Sequence, residues 1–189
     1  KHIQLTKRQL RELDKRWRIG LIEARKLAVK WHNQQKDLRL KEAESWAEQL
    51  CSQIDFHDNL LLHLAFSMLY LGEGFKGDSG TGMGNSNPIV LKFFVAMLRT
   101  HNVPLSKIKC ELHLRADQNQ INTRKFWSKE LKLPLSNFMS VSFDKRTVGS
   151  PTYPTYRGVC VVRCGNIVIQ RKLMYFSRIF CEQVIARYI

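Results

Sequence analysis

The chain has 189 residues, 44% of them hydrophobic, which is enough for a folded core and excludes a disordered polyelectrolyte. Its 31 Lys and Arg side chains outnumber 16 Asp and Glu, and the formal net charge of +15 predicts a polyanionic partner. No stretch approaches the roughly 20 consecutive apolar residues that span a bilayer, and no cleavable signal opens the chain, so the sequence predicts an intracellular protein with no membrane partner.

Charge and composition divide the chain into two parts. Residues 1–56 carry 13 basic and 8 acidic side chains, whereas residues 57–189 carry 18 and 8, so the second part is the more basic. The chain begins inside a charged run without an initiator Met, and we expect it to be a piece of a longer protein.

The first part is predicted to be a helical extension of two amphipathic helices. Thr6 and Gln9 form a capping box, and apolar residues then recur every three or four positions from Leu10 to Trp31. A second helix is expected over Leu38 to Cys51. Their apolar stripes indicate that the helices dimerise or pack on the following domain. A solvated linker helix is an equally favoured interpretation.

The second part is predicted to be an α+β domain. The expected elements are a helix over 59–72, a Gly-rich stretch over 77–84, a helix from Pro88, a strand over 108–114, a helix capped by Asp117, a strand over 138–143, a hairpin over 156–171 and a helix over 173–188. In the hairpin, Gly165 and Asn166 form the turn between strands 156–163 and 167–171. Together these elements predict a mostly antiparallel sheet covered by helices on one face.

The five cysteines (Cys51, Cys110, Cys160, Cys164 and Cys181) contain no C-x-x-C pair and are an odd set, so neither a disulfide framework nor a zinc ribbon is indicated. We interpret them as reduced core residues. A zinc site that combines some of them with the scattered histidines remains the less favoured alternative.

The segment Leu64 to Gly74, LAFSMLYLGEG, resembles the LAGLIDADG motif in the form that ends in Gly-Asp-Gly, with Glu73 in place of the last Asp. The sequence Asn85-Ser86-Asn87-Pro88 and the order of elements extend the resemblance over about 130 residues. The chain is similar to small proteins that join a helix-turn-helix to a LAGLIDADG-like domain.

The resemblance implies a homodimer, because the chain holds one copy of the motif and the motif helix packs against its twin in this family. The expected seam consists of Ala65, Met68, Leu69 and Gly72. The resemblance also implies that the Glu73 carboxylates of two chains, with the Gly72 carbonyl, bind Mg²⁺ or Mn²⁺. A lysine assists the chemistry in the family; Lys172 is the candidate, with Lys76 as the alternative.

The expected DNA contacts depart from the family pattern. A long basic ribbon follows the motif helix in well-studied members, whereas here Phe75 to Ser86 contain one basic residue, Lys76. The predicted hairpin is therefore expected to contact the DNA in place of this ribbon. In the hairpin, Arg157 and Arg163 share a face and Arg171 lies on the facing strand. Further phosphate contacts are expected from Lys109, Arg115, Lys145 and Arg146.

Two functions remain open. The first is a double-stranded-DNA endonuclease of homing type that hydrolyses phosphodiesters with Mg²⁺, which the acidic residue at position 73 favours. The second is a LAGLIDADG-type transcription regulator without cleavage activity, which the short ribbon and a helix-turn-helix expected upstream of Lys1 favour. An RNA-binding maturase is a third, less favoured possibility.

Overall fold

The structure is a computed structural model that describes residues 4–77 and 80–189. The chain divides into two compact units, with the boundary between Asp55 and Phe56. Positions 78 and 79, in the predicted Gly-rich stretch, lie outside the described residues. Of the helices in the described ranges, none has the length and apolar character that a membrane span requires.

The first unit is built on one long helix, α1 (Lys7–Cys51), rather than the two predicted helices. The capping box is confirmed, since the Thr6 side chain accepts from the Gln9 amide and the Gln9 side chain accepts from the Thr6 amide. Positions 32–37 hold no Gly or Pro, so nothing in the backbone interrupts the helix between the two apolar stretches. None of the residues of Lys7–Cys51 is buried.

In its described residues, the second unit has four α-helices and four strands. They are, in chain order, α2 (Asn59–Glu73), β1 (Thr81–Asn85), α3 (Pro88–Thr100), β2 (Ile108–Arg115), α4 (Gln120–Leu131), β3 (Phe138–Asp144), β4 (Val159–Cys164) and α5 (Ile167–Tyr188). Short 3₁₀ turns precede β2 and β3 and follow β3. The α+β class is therefore confirmed.

The sheet is mixed, with the strand order β1-β4-β2-β3. β4 runs antiparallel to both of its neighbours, whereas β2 and β3 are parallel. The parallel pair arises because α4 connects β2 to β3 as a crossover, so β3 starts at the same end of the sheet as β2.

The core lies between the four helices and one face of the sheet. In β2, Ile108, Cys110, Leu112 and Leu114 are buried while the alternate residues are at least partly exposed. Trp127 from α4 is completely buried against this face. The opposite face, called the open face below, carries exposed side chains such as Lys109 and His113, although Gly82 and Val161 are buried on it.

The predicted hairpin over 156–171 is wrong in its second half. Asn166 caps a helix instead, its side chain accepting a hydrogen bond from the Val168 amide, and α5 begins at Ile167. The Thr81 hydroxyl donates to the Asn166 carbonyl and accepts from the Gln170 amide, so β1 anchors the first turn of the helix. This long-range anchor overrides the strand preference of the β-branched residues that follow Asn166.

The cap of α4 also differs from the prediction, because Asn119 rather than Asp117 accepts the capping hydrogen bond.

Three of the five cysteines are core residues as interpreted, namely Cys110, Cys160 and Cys164, whereas Cys51 is exposed and Cys181 is half-buried.

Candidate nucleic-acid interface

The motif helix α2 has one buried face and one open face. Phe66, Ser67 and Tyr70 point into the core. Of the predicted seam, Ala65, Met68 and Gly72 are exposed, whereas Leu69 is half-buried and packs partly against the core. Met68 is 38% exposed and a methyl group on Gly72 would meet nothing within 4 Å, so a second helix has room to approach here.

Glu73 lies exposed at the end of α2, where its Oε2 atom accepts a hydrogen bond of 3.0 Å from the Asn85 side chain. The Lys76 ammonium donates to the Gly72 carbonyl across 3.4 Å. Lys172 lies on α5 rather than at the end of a hairpin, and its charge acts on His101. Lys76 is therefore the lysine that the structure places beside the acidic end of the motif helix.

The ribbon after α2 is short, as predicted. It consists of a bridge between Gly74 and Met83 and a hydrogen bond from the Phe75 amide to the Gly82 carbonyl. The Phe75 ring covers Gly82, where an added Cβ would lie 2.8 Å from a ring carbon. The glycine is thus required for the ring to lie flat on the open face of the sheet.

Two of the predicted DNA-binding residues lie in one row on this open face. Lys109 on β2 and Arg163 on β4 are register partners, and Gly82 completes the row. The Arg163 guanidinium carbon is 4.6 Å from the centre of the Phe75 ring, and its Nε is 3.9 Å from the Glu111 carboxylate. Stacking holds the guanidinium against the sheet. Lys109 is exposed in this row, whereas Arg163 is half-buried and Gly82 is buried.

The far end of the open face holds arginines that already have intramolecular partners. Arg115 donates to the Thr152 hydroxyl and the Ser150 carbonyl, and so fixes the loop before β4. Arg146 forms a bidentate pair with Asp144, whose pKa is lowered by this hydrogen bonding. These two arginines are first of all structural, and only their remaining donors can reach a ligand.

Three predicted contacts lie elsewhere. Arg157 precedes β4 and packs over the Phe126 ring of α4, with Nη1 donating to the Pro154 carbonyl. Arg171 is exposed on α5, not on a strand facing Arg163. Lys145 is exposed in the turn after β3. The structure thus separates Arg157 and Arg171 from the row that contains Arg163.

The open face also has polar and aromatic residues that the sequence reasoning missed. His113 Nδ1 and Ser142 Oγ are 3.0 Å apart on the parallel strands β2 and β3. A groove of about 590 Å³ runs beside them, and Tyr153 and Tyr156 form its other wall. The signal available in the sequence was the alternation of β2, which places His113 on the same face as Lys109.

The described residues contain no group of three or more His, Cys, Asp or Glu side chains that would hold a metal ion. The oxygens at the end of α2 are one carboxylate, from Glu73, and the Gly72 carbonyl. Both are hard oxygen donors on the surface, the type that Mg²⁺ and Mn²⁺ prefer, so two chains would have to combine them to complete a site.

No protein-family model, curated protein or solved structure matches this chain. The open sheet face, the exposed end of α2 and the basic charge are therefore the observations that bear on its function.

Proposed function

We propose that this chain is a homodimeric double-stranded-DNA-binding protein of LAGLIDADG type that acts as a Mg²⁺-dependent site-specific endonuclease. The observation that carries the proposal is a juxtaposition at the end of α2. An exposed apolar helix face ends at the Glu73 carboxylate, and Phe75, two residues on, packs against Arg163 in the row of the sheet that also holds Lys109.

The dimer step rests on the outer face of α2. Ala65 and Gly72 are small and exposed, so the backbones of two such helices can approach closely, and Met68 supplies apolar contact. A two-fold pair uses the same patch on both chains and brings two Glu73 carboxylates together. Two carboxylates at short distance repel each other, which a divalent cation between them relieves.

The DNA step rests on the open face of the sheet. Lys109 and Arg163 supply positive charge in one row, and the Phe75 ring gives that row a flat apolar neighbour. Side chains on a strand point alternately to the two faces, so this set points away from the core towards a ligand. Serine and histidine farther along, Ser142 and His113, can donate to and accept from base edges.

The catalytic step rests on Glu73, Gly72 and Lys76. Glu73 and the Gly72 carbonyl of two chains would hold Mg²⁺, which when bound supplies Lewis-acid activation of the scissile phosphodiester. Lys76 lies close enough to the Gly72 carbonyl to place a positive charge beside that phosphate. Asn85 orients the Glu73 carboxylate through its amide hydrogen bond.

The test is cleavage of a library of duplex targets in Mg²⁺ and in Mn²⁺, with DNA binding measured separately by fluorescence anisotropy. Glu73→Gln should lower the cleavage rate by about 100-fold or more while binding is kept. Glu44→Gln, an exposed carboxylate on α1, is the matched control and should cleave normally. Intact duplexes with both ions and unchanged binding by Glu73→Gln would reject the enzyme.

A regulator without cleavage activity is the second candidate, and two observations favour it. Among the described residues, the ribbon after α2 shows one isolated bridge, between Gly74 and Met83. The hydrogen bond from Asn85 gives Glu73 a structural role at the end of β1 that needs no metal. The two functions separate cleanly, because the regulator binds duplex DNA as a dimer and leaves it intact.

A further inference from the structure

The helix α1 carries an apolar surface that no described residue of its own unit covers. Trp17 is 64% exposed, Leu27 67% and Trp31 56%, on a helix of 45 residues with no buried residue. Helical stability in proteins comes mainly from packing of such a face, and exposed apolar stripes of this length mark interaction surfaces.

The stripe has the seven-residue repeat of a two-stranded coiled coil between Leu10 and Leu38. One set of core positions, spaced by seven, holds Leu10, Trp17, Ala24, Trp31 and Leu38. The other set holds Leu13, Gly20 and Leu27, followed by the polar Gln34 and Lys41. Four successive heptads are enough to define a seam and a supercoil. Trp46 and Leu50 lie beyond the paired segment.

The charges that flank this seam select the partner and its direction. The residue that precedes each of Trp17, Ala24, Trp31 and Leu38 is charged. These residues are Arg16, Glu23, Lys30 and Asp37, so the sign of the charge alternates from one heptad to the next. In an antiparallel pair of identical helices these positions face each other, and Arg16 meets Asp37 while Glu23 meets Lys30. Every charged residue of the set then has an opposite charge across the seam.

A parallel pair of the same helices has no such match. Arg16, Glu23 and Lys30 would then face Leu21, Ala28 and Gln35, and Asp37 would face Glu42 with the same charge. We therefore propose that α1 binds a second copy of this chain through an antiparallel two-stranded coiled coil, centred between Arg25 and Lys26.

Gly20 supports this pairing independently. A glycine inside a helix costs about 1 kcal/mol relative to alanine. A Cβ at Gly20 would meet nothing within 4 Å, so no contact within the described part of the first unit explains the glycine. In the antiparallel register Gly20 lies opposite Trp31 of the second copy, whose indole needs the space that a side chain would fill.

The pairing has a consequence for assembly. Cys51, at the end of α1, lies about 25 residues from the centre of the seam, so the two copies of Cys51 are about 75 Å apart at 1.5 Å per residue. The two Cys51 residues, after which each chain continues into its α+β unit, therefore lie at opposite ends of the coiled coil. This interface uses other residues than the α2 face, and a protein that uses both forms an assembly larger than a dimer.

The test is light scattering of the complete chain at several concentrations, on charge-reversal variants. Glu23→Lys and Lys30→Glu should each weaken association by roughly tenfold, and the double variant should restore it. Lys36→Glu, an equal change on the outer side of α1, should leave association unchanged. Glu23→Lys also loses a pair with Lys26 within the helix, whereas Lys30→Glu does not affect that pair. A double variant no better than the single ones, or a monomeric wild type, overturns the proposal.

Combining variants separates this interface from the α2 face. With both interfaces, Gly72→Leu on α2 leaves a dimer, and Glu23→Lys moves dissociation of the α1 pair to about tenfold higher concentration in the wild type and in Gly72→Leu alike. Should the α2 face not pair, the wild type is a dimer that Gly72→Leu leaves unchanged, and Glu23→Lys moves its dissociation into monomers to about tenfold higher concentration. The α1 pairing is supported in both cases, and the second result rejects the dimer of the proposed function.

The direction of the pair is tested by oxidative cross-linking. Leu13→Cys and Leu38→Cys are introduced together, with Cys51→Ser and Cys181→Ser to remove the accessible thiols. The antiparallel pair predicts a disulfide that joins position 13 of one chain to position 38 of the other. Peptide mapping that finds 13 joined to 13 instead would establish a parallel pair and overturn the assignment.

Discussion

The Tyr70 hydroxyl donates a hydrogen bond of 2.8 Å to the Phe75 carbonyl, which joins the last turn of α2 to the residue that covers the open sheet face. The same hydroxyl accepts a hydrogen bond from the Gly82 amide at 3.3 Å. Gln170 of α5 donates to the Phe75 carbonyl as well. One buried side chain thus fixes the geometry between the motif helix, β1 and the Phe75 ring.

Tyr70→Phe should destabilise the protein by about 1 to 3 kcal/mol, because the buried Gly82 amide loses its recorded acceptor. The measurement is urea unfolding followed by circular dichroism. Tyr153→Phe, at an exposed position, is the control and should change the free energy of unfolding by less than about 0.5 kcal/mol. Equal stability of both variants would contradict the structural role of the hydroxyl.

The stability of the protein should also fall at alkaline pH through Tyr70. Burial raises the pKa of this phenol above its ordinary value of 10.0. The unfolded chain loses the phenol proton more readily than the folded one. The contribution of Tyr70 to the free energy of unfolding is therefore complete below pH 10 and is lost as the pH rises through the pKa of the folded state. The difference in thermal midpoint between wild type and Tyr70→Phe should shrink above pH 10.

The protein should become less stable at acid pH because of His101. Burial lowers the pKa of His101 below its ordinary value of 6.5, and the charges of His63 and Lys172 lower it further. The unfolded chain therefore binds the proton first, and the protein loses stability as the pH falls below 6.5. His101→Gln should flatten the dependence of the thermal midpoint between pH 7 and pH 5, whereas His32→Gln on α1 should not.

Gly158 should be intolerant of any side chain. Its φ is +70°, and an added Cβ would lie 2.9 Å from the His113 carbonyl oxygen and closer still to the Leu114 side chain. Gly158→Ala should cost about 2 kcal/mol or more in the free energy of unfolding. Gly165→Ala is the matched control, since nothing lies within 4 Å of that position. Similar values for the two variants would contradict the close approach.

DNA binding should depend on Lys109 and Arg163 more than on Arg157. Each phosphate contact contributes about 0.9 to the slope of log affinity against log salt concentration. Lys109→Gln and Arg163→Gln should each reduce that slope by about one, whereas Arg157→Gln, beside α4, should leave it unchanged. Equal effects of all three would show that the open face is not the contact surface.

Several elements could be predicted from the sequence because their signals act within one helical turn. Asp58 caps α2 through the Leu60 and Leu61 amides, and Asn87 caps α3 with Pro88 at its first position. The alternation from Ile108 to Leu114 predicted β2 and its buried face. Glu73 and Gly72 are exposed at the end of α2, and the metal site expected there stays a prediction.

Only the tertiary structure decided how these elements combine. Residues 167–171 form a helix because Thr81, more than 80 positions away, holds the Asn166 carbonyl and the Gln170 amide. The register of β4 placed Arg163 beside Lys109 and left Arg171 on another element, and the path after α2 placed Lys76 at the Gly72 carbonyl. Caps and alternation depend on neighbouring residues, whereas strand register and shared faces depend on contacts between distant ones, which no local pattern specifies.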